Sequence, residues 1–476
     1  MKRYSSPNFL FSLFILGIIS INTSIAIDQK EDLNRIKSKA VEIKKQIRDL
    51  KIQHTKLKVK EITKAADSDK VYTKSENVKL LEIKISTLKK DLHHLGKIIS
   101  HDRMPKNSRN SRRHAIKKNP YESYPELYDI SKVKKANYAI GDGSKSKPFA
   151  IENYNQLQSI AHFPRSNFIL SKNIDLSEKQ WIPIPEFFGT FDGDNKEVTG
   201  LNWKDQRRAK EGFAFIMNLD GGTIKNIKFN KVEVHGYRRI STIVDQTIAN
   251  SGALIENVHV SGNLSIAEAH LSGVVGAIRA GNEIKASSFT GSLKQTASGG
   301  PSDYGFVGGV VRSCAGKCSS LASSGSIHSI RGKVGGVVQQ VYEQGVLFNS
   351  ESAMNINPDY LPSCSKGNRV GGLVAILADE GSIENSHATG TICAQHYVGG
   401  LVAETWRIKS TAKISNSSFK GKLKWNNFLG IGAIIGFSTR PIILENIEWD
   451  PEHSGVENAT GGRNRRRMPA NINKRD

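Results

Sequence analysis

The amino-acid sequence predicts an all-β right-handed parallel β-helix, a solenoid, preceded by an α-helical coiled-coil segment. Three observations carry this expectation. Near-identical short segments recur through the second half of the chain, turns rich in Gly, Ser and Asn separate β-prone runs, and an uneven charge distribution sets a nearly neutral middle between basic flanks.

Residues 1–26 read as a secretory signal peptide. Lys2 and Arg3 precede an apolar run over 9–21, and Ser24, Ile25 and Ala26 supply the small residues a signal peptidase requires. The run is shorter than the roughly 20 residues that span a bilayer. Ile27 rather than Cys follows the expected cut, which argues against a lipoprotein. The mature chain is therefore expected to be secreted or at the cell surface, with the periplasm as an alternative.

Of the formal charge of +23, residues 1–26 carry +2, residues 27–118 carry 26 minus 12, or +14, and residues 453–476 carry 6 minus 2, or +4. The remaining +3 falls on residues 119–452. Residues 101–138 read as a basic linker and 451–476 as a basic disordered tail. The 38% hydrophobic content excludes a chain disordered throughout, and 42 Gly against 14 Pro favours turn-rich β structure over collagen or Pro-rich linkers.

Within residues 27–100 the apolar positions Leu33, Ile36, Ala40, Ile43, Ile47, Leu50 and Leu57 follow a 3,4 spacing, with His54 as a polar interruption. A second run, Val78, Leu81, Ile85, Leu88, Leu92, Leu95 and Ile99, repeats it. Each run puts one apolar seam on a helix and demands a partner. Asp67, Ser68 and Asp69 offer turn chemistry, and Thr73 with Glu76 has capping-box spacing. The pattern predicts an antiparallel hairpin, with a continuous self-associating stalk as the alternative.

The repeats FVGGVV (306–311), KVGGVV (333–338), RVGGLV (369–374) and YVGGLV (397–402) are near copies, and LSGVVG (271–276) and IGAIIG (431–436) are weaker ones. Their markers Thr242, Gly273, Gly309, Gly336, Gly372, Gly400 and Ala433 are separated by 31, 36, 27, 36, 28 and 33 residues. An out-of-phase series begins at 224, 255, 284, 383 and 414, so each repeat is expected to hold two short strands. Such a unit cannot bury itself alone. Stacked units form a solenoid, whereas a propeller needs four strands per blade and a longer period.

The xVGG[LV]V repeats resemble those of GLUG-motif proteins. The resemblance extends to the segment before them: Phe149 and Ile151 in a PF-x-I strand, Asn153 to Leu157, Ile174-Asp175-Leu176, Trp181 to Ile184, and Phe187 to Gly193 in F-x-G-T-F-D-G. It covers about residues 139–450. The resemblance implies a β-helix domain of the kind found in bacterial adhesins and in the accessory N-terminal part of immunoglobulin A proteases. The final Gly of the motif is present at Gly276 and Gly436 and replaced at Gln339, Ala375 and Ala403.

None of the 13 His is followed by Glu, which excludes the H-E-x-x-H zinc site of those proteases. Asp192 and Asp194, the most conspicuous carboxylate pair, read as turn residues. Asn226, Asn257, Asn385, Asn416 and Asn446 recur in phase and read as turn-capping groups. His259 and His387 occupy equivalent repeat positions without a third ligand, so neither metal nor cofactor is expected, and no residue qualifies as catalytic. The four cysteines suggest two disulfides in an exported chain. Cys364 lies six residues before Val370 and Cys393 five before Val398, which places the two almost superposed on consecutive coils and leaves Cys314 with Cys318. A non-catalytic surface adhesin or interaction protein is the expected function, its partner a host or cell-surface protein or glycan. The alternatives are a β-helix polysaccharide lyase or hydrolase, and binding of an anionic polysaccharide or DNA by Arg103, Lys106, Arg109, Arg112, Arg113, Lys117 and Lys118.

Overall fold

The computed structural model describes residues 130–462, except 205–211, 268, 297–304, 331, 361–362, 365–368, 409–411, 427–428 and 439, together with positions 42–43, 46–47, 49–50 and 53–54. The expected signal peptide, most of the expected coiled-coil segment, the cationic cluster from Arg103 to Lys118 and the end of the tail lie outside the described residues. By their contacts, Met1–Ile116 and Lys117–Asp476 are separate units. In the first, the described positions between 42 and 54 are helical, and Ile43 and Ile47 are its buried ones.

The second unit is a parallel β-solenoid. Its strands fall into sheets of 20, eight and nine strands, and every recorded pairing between them is parallel. A representative coil runs Gly305–Gly308 in the eight-stranded sheet, Val311–Cys314 in the nine-stranded sheet, then Lys317–Ser319 and Ala322–Ser329 in the large sheet. The next coil opens at Gly332–Gly335 in register with the first.

Each such coil therefore holds four strands where two were expected. Both repeated segments contain a corner that hydrophobic alternation alone does not mark. In xVGG[LV]V it is the glycine pair; in the second series it is a residue at positive φ.

The glycine pair is required by close approach of neighbouring coils. A Cβ at Gly309 would stand 1.7 Å from the carbonyl oxygen of Gly336, one at Gly336 2.0 Å from that of Gly372, and one at Gly372 2.1 Å from that of Gly400. The same backbones are tied by hydrogen bonds, Gly309 N to Gly335 O at 3.0 Å and Gly336 N to Gly371 O at 3.1 Å. Around them Val307, Val334, Val370 and Val398 stack inward with no exposed surface, part of one continuous core.

The ends are closed differently. At the start, the helix Tyr154–Gln158 is capped by the Asn153 side chain, which accepts from Gln156 N, and buries Leu157. Trp181 stacks on Phe215 at 4.1 Å and donates Nε1 to its carbonyl at 3.2 Å. The end of the expected linker also packs here: Val133 is buried, and Tyr138 stacks on Phe149 at 4.5 Å. At the far end, residues 451–462 depart from the disordered tail expected from 451. Asp450 caps the short helix Pro451–Ser454, and Val456 and Ala459 are buried, with the Ala459 carbonyl accepting from Ile434 N and Ile435 N. Without that cover the last coil would expose unpaired backbone and apolar side chains.

Candidate functional site

Where the eight-stranded sheet turns into the nine-stranded sheet, the outside of the solenoid carries three columns of side chains that meet one another. The first is Arg239, His270, Phe306, Lys333 and Arg369, paired in register from coil to coil. The third is Gln246, Ala277, Ser313, Gln340, Ile376, Glu404 and Phe437. Between the paired residues of the nine-stranded sheet lies the middle column, Asp245, Gly276, Arg312, Gln339, Ala375, Ala403 and Gly436. This is the position of the motif's final Gly. Small residues hold it in four of these coils, and Asp245, Arg312 and Gln339 replace them in the others.

Contacts across the columns define a groove. Arg239 Nη2 lies 3.5 Å from Asp245 Oδ2, and Arg369 pairs with Glu404. Arg279, just beyond Ile278, spans neighbouring coils, donating to Gln246 Oε1 at 3.3 Å and to Tyr342 Oη at 3.2 Å. Arg312 donates to Ser313 Oγ at 2.7 Å. Ala375, Ile376 and Ala378 pack with Tyr342 in a small cluster separate from the main core.

Charge in the groove is unbalanced around Arg312. Burial lowers the Arg312 pKa; Asp245 opposes that shift, whereas Arg279 and Arg239 add to it, and the group stays charged at any physiological pH. His270 stacks on Phe306 at 4.9 Å and is pushed down to about 3, first by burial and then by Arg312, Arg239 and Arg238. It is a neutral imidazole at neutral pH, and its Nδ1 is buried without a partner. Gln339, 1% exposed, likewise has no partner for Nε2.

The other residues marked in the sequence are engaged in structure. Asn226, Asn257, Asn385, Asn416 and Asn446 all sit at φ between 47° and 54°, the left-handed corner that Asn tolerates. Their amides form ladders: Asn257 donates to Asn226 Oδ1 at 3.0 Å, and Asn446 donates to Asn416 Oδ1 at 2.8 Å. Asn349, absent from the sequence pattern, extends the ladder by accepting from Asn385 at 2.9 Å. Asp192 starts it, accepting from Asn226 at 3.1 Å and pairing with Lys225 at 3.0 Å. Burial alone would raise the Asp192 pKa, but hydrogen bonds from Asp194 N, Lys225 and Asn226 hold it below the usual range. Asp194 pairs with Lys196 at 2.7 Å.

His259 and His387 share a column four strands apart, a separation of about 19 Å at the usual strand spacing. Each instead meets a serine of the following coil, Ser288 at 2.8 Å and Ser418 at 2.9 Å. No group of three or more His, Cys, Asp or Glu side chains among the described residues is arranged to hold a metal. A depression of about 1030 Å³ beside Asn250, Asn282 and Phe348 is lined largely by turn residues, and Asn282 is spent on the backbone there.

Cys314 is disulfide-bonded to Cys318 and Cys364 to Cys393, with Cα separations of 6.7 and 5.1 Å. Cys364 and Cys393 do not occupy equal register. Ile356 pairs with Ile392, so the counterpart of Cys393 is Asn357, whose amide donates to the Cys393 carbonyl at 3.1 Å. Cys364 lies in the loop that follows Pro358–Tyr360, and the bond pins that loop to the next coil.

Fold and groove together define a parallel β-solenoid built from small-residue repeats with a lateral strip of side chains in which arginines outnumber carboxylates. Within this parallel β-solenoid, residues 366–392 match the family described as the GLUG motif. Two solved structures are similar to parts of the chain at low identity. An IgA1 protease is 19% identical with a TM-score of 0.45, over 59% of this chain and 22% of its own length. A Bacteroides ovatus protein provisionally designated an immunoglobulin A1 protease is 17% identical with a TM-score of 0.41, over 66% of this chain and 88% of its own length. No curated protein matches the chain.

Proposed function

We propose that the chain is an exported, non-catalytic binding protein, an adhesin whose solenoid presents its lateral groove to a surface partner. The observation that carries this reading is the groove itself. Its walls draw one residue from each successive coil, so recognition groups repeat along the axis at the strand spacing, the arrangement that solenoids offer to extended partners.

Two disulfides support export, because such bonds persist in oxidising compartments. No helix among the described residues is long and apolar enough to cross a membrane. The conspicuous carboxylates support binding over hydrolysis. Asp192 is committed to a corner and to Lys225, while Asp245 and Glu404 each face an arginine across the groove. A glycosidase pair requires one carboxyl protonated and a second free to attack or activate water.

The test is retention of the secreted full-length chain on arrays of surface glycans and extracellular proteins. Saturable binding that survives moderate salt is expected. An array that retains the chain nowhere contradicts the reading.

A further inference from the structure

Among the described residues, the middle of the groove holds donors with no anionic acceptor in hydrogen-bond contact. Arg279 and Arg312 are hydrogen-bonded to neutral groups, Gln246, Tyr342 and Ser313. Gln339, stacked directly above Arg312, has an unpartnered amide nitrogen although it is almost fully buried. Asp245, the described carboxylate that acts on Arg312, is already paired with Arg239. Buried donors of this kind cost free energy unless an acceptor arrives, and guanidinium groups favour planar or tetrahedral oxyanions.

We infer that the rungs around Arg312 bind the carboxylate or sulfate of an acidic glycan laid along the groove. This rests on the binding reading above and names its ligand class. The position of the donors supports it, since Arg312 and Gln339 stand where sister coils carry Gly or Ala. His270, held neutral first by burial, is pushed further the same way by Arg312, Arg239 and Arg238.

A glycan fits better than an acidic peptide for two reasons. The strands on both sides of the groove are paired on either edge by neighbouring coils, so a peptide has no free edge to extend. The remaining lining groups, Gln246, Ser313, Gln340, Tyr342 and Glu404, suit sugar hydroxyls, which both donate and accept. Ile376 is the one large aliphatic side chain in the third column, a poor set of pockets for peptide side chains.

The test is calorimetric titration of the full-length exported chain with a heparin-derived hexasaccharide and with an oligogalacturonate of the same length. Salt of about 0.3 M screens exposed flanking charges while leaving a desolvated site effective. Arg312→Gln and, at the groove's edge, Arg279→Gln are each expected to weaken binding by about tenfold or more, the loss of one charge-assisted contact. Both should keep the wild-type thermal midpoint to within a few degrees. Preference for the sulfated or the uronate ligand tells which oxyanion the site takes.

Wild-type affinity in both variants overturns the inference, as does equal affinity for a hexaglutamate peptide. A chain that binds neutral glycans or a protein receptor but neither acidic oligosaccharide overturns it too, while leaving the adhesin reading intact.

Discussion

Gly336→Ala should destabilise the solenoid far more than an added methyl does at an ordinary buried site. The new Cβ would lie 2.0 Å from the Gly372 carbonyl oxygen and close to Ser352 Oγ, whereas ordinary contact begins at 3.4 Å. The coils must therefore part locally by roughly 1.4 Å, the difference between those two distances. Overpacking of this kind costs about 1–3 kcal/mol. The movement also stretches two ladder bonds, Gly336 N to Gly371 O and Gly309 N to Gly335 O, at about 1 kcal/mol net each. The sum is about 3–5 kcal/mol, a fall in thermal midpoint on the order of 10 °C for a domain of this size. Urea titration of the full-length chain, followed by far-ultraviolet circular dichroism, measures it. Ala433→Gly, at the same repeat position in the last coil, is the control, with an expected loss of about 1 kcal/mol. Equal shifts for the two variants would refute the close-approach argument.

Ala286 interrupts the asparagine column at φ 48°, so Ala286→Asn should stabilise by about 0.5–1 kcal/mol, read as a higher urea midpoint. His270 is depressed from 6.5 to about 3, so the unfolded chain binds a proton that the native chain refuses between those values. Its share of stability is complete above pH 6.5 and is lost as pH falls towards 3, at up to about 1.4 kcal/mol per unit. Urea midpoints at pH 7, 5 and 4 should show this slope, and His270→Gln should flatten it. Cys364→Ser with Cys393→Ser removes a cross-link of sequence separation 29 and should cost about 3 kcal/mol by loop entropy, read against the oxidised parent. Deleting residues 101–118 should abolish only the salt-sensitive part of retention on heparin, leaving the salt-resistant part due to the groove and the midpoint of the solenoid unchanged.

The repeats made the solenoid legible because the glycine pair marks a point where backbone must approach backbone, and that constraint admits few alternatives. The opening aromatic motifs were legible for a related reason, since Trp181 and Phe191 fill the first coils with large rings. The groove was not. Gln339 stood out only as a departure from the motif, and Arg312 and His270 did not stand out at all. Their significance depends on which coil lies above which, and the steps of 27–36 residues conceal that register. Asn349 escaped notice because its segment lacks the Ile that opens the asparagine series, Leu347 standing in its place. For Cys364, counting from the repeat failed because the helical turn Pro358–Tyr360 interrupts the strands after Ile356, so linear offset no longer measures height in the stack.

The central claim is that this solenoid holds a partner without transforming it. The most direct measurement is the mass of the retained ligand, recovered after prolonged incubation with the full-length chain and compared with the ligand alone. The account predicts saturable retention and an unchanged mass distribution. Shortened products accumulating in proportion to the chain and to time would contradict it, and would put catalysis where we propose recognition.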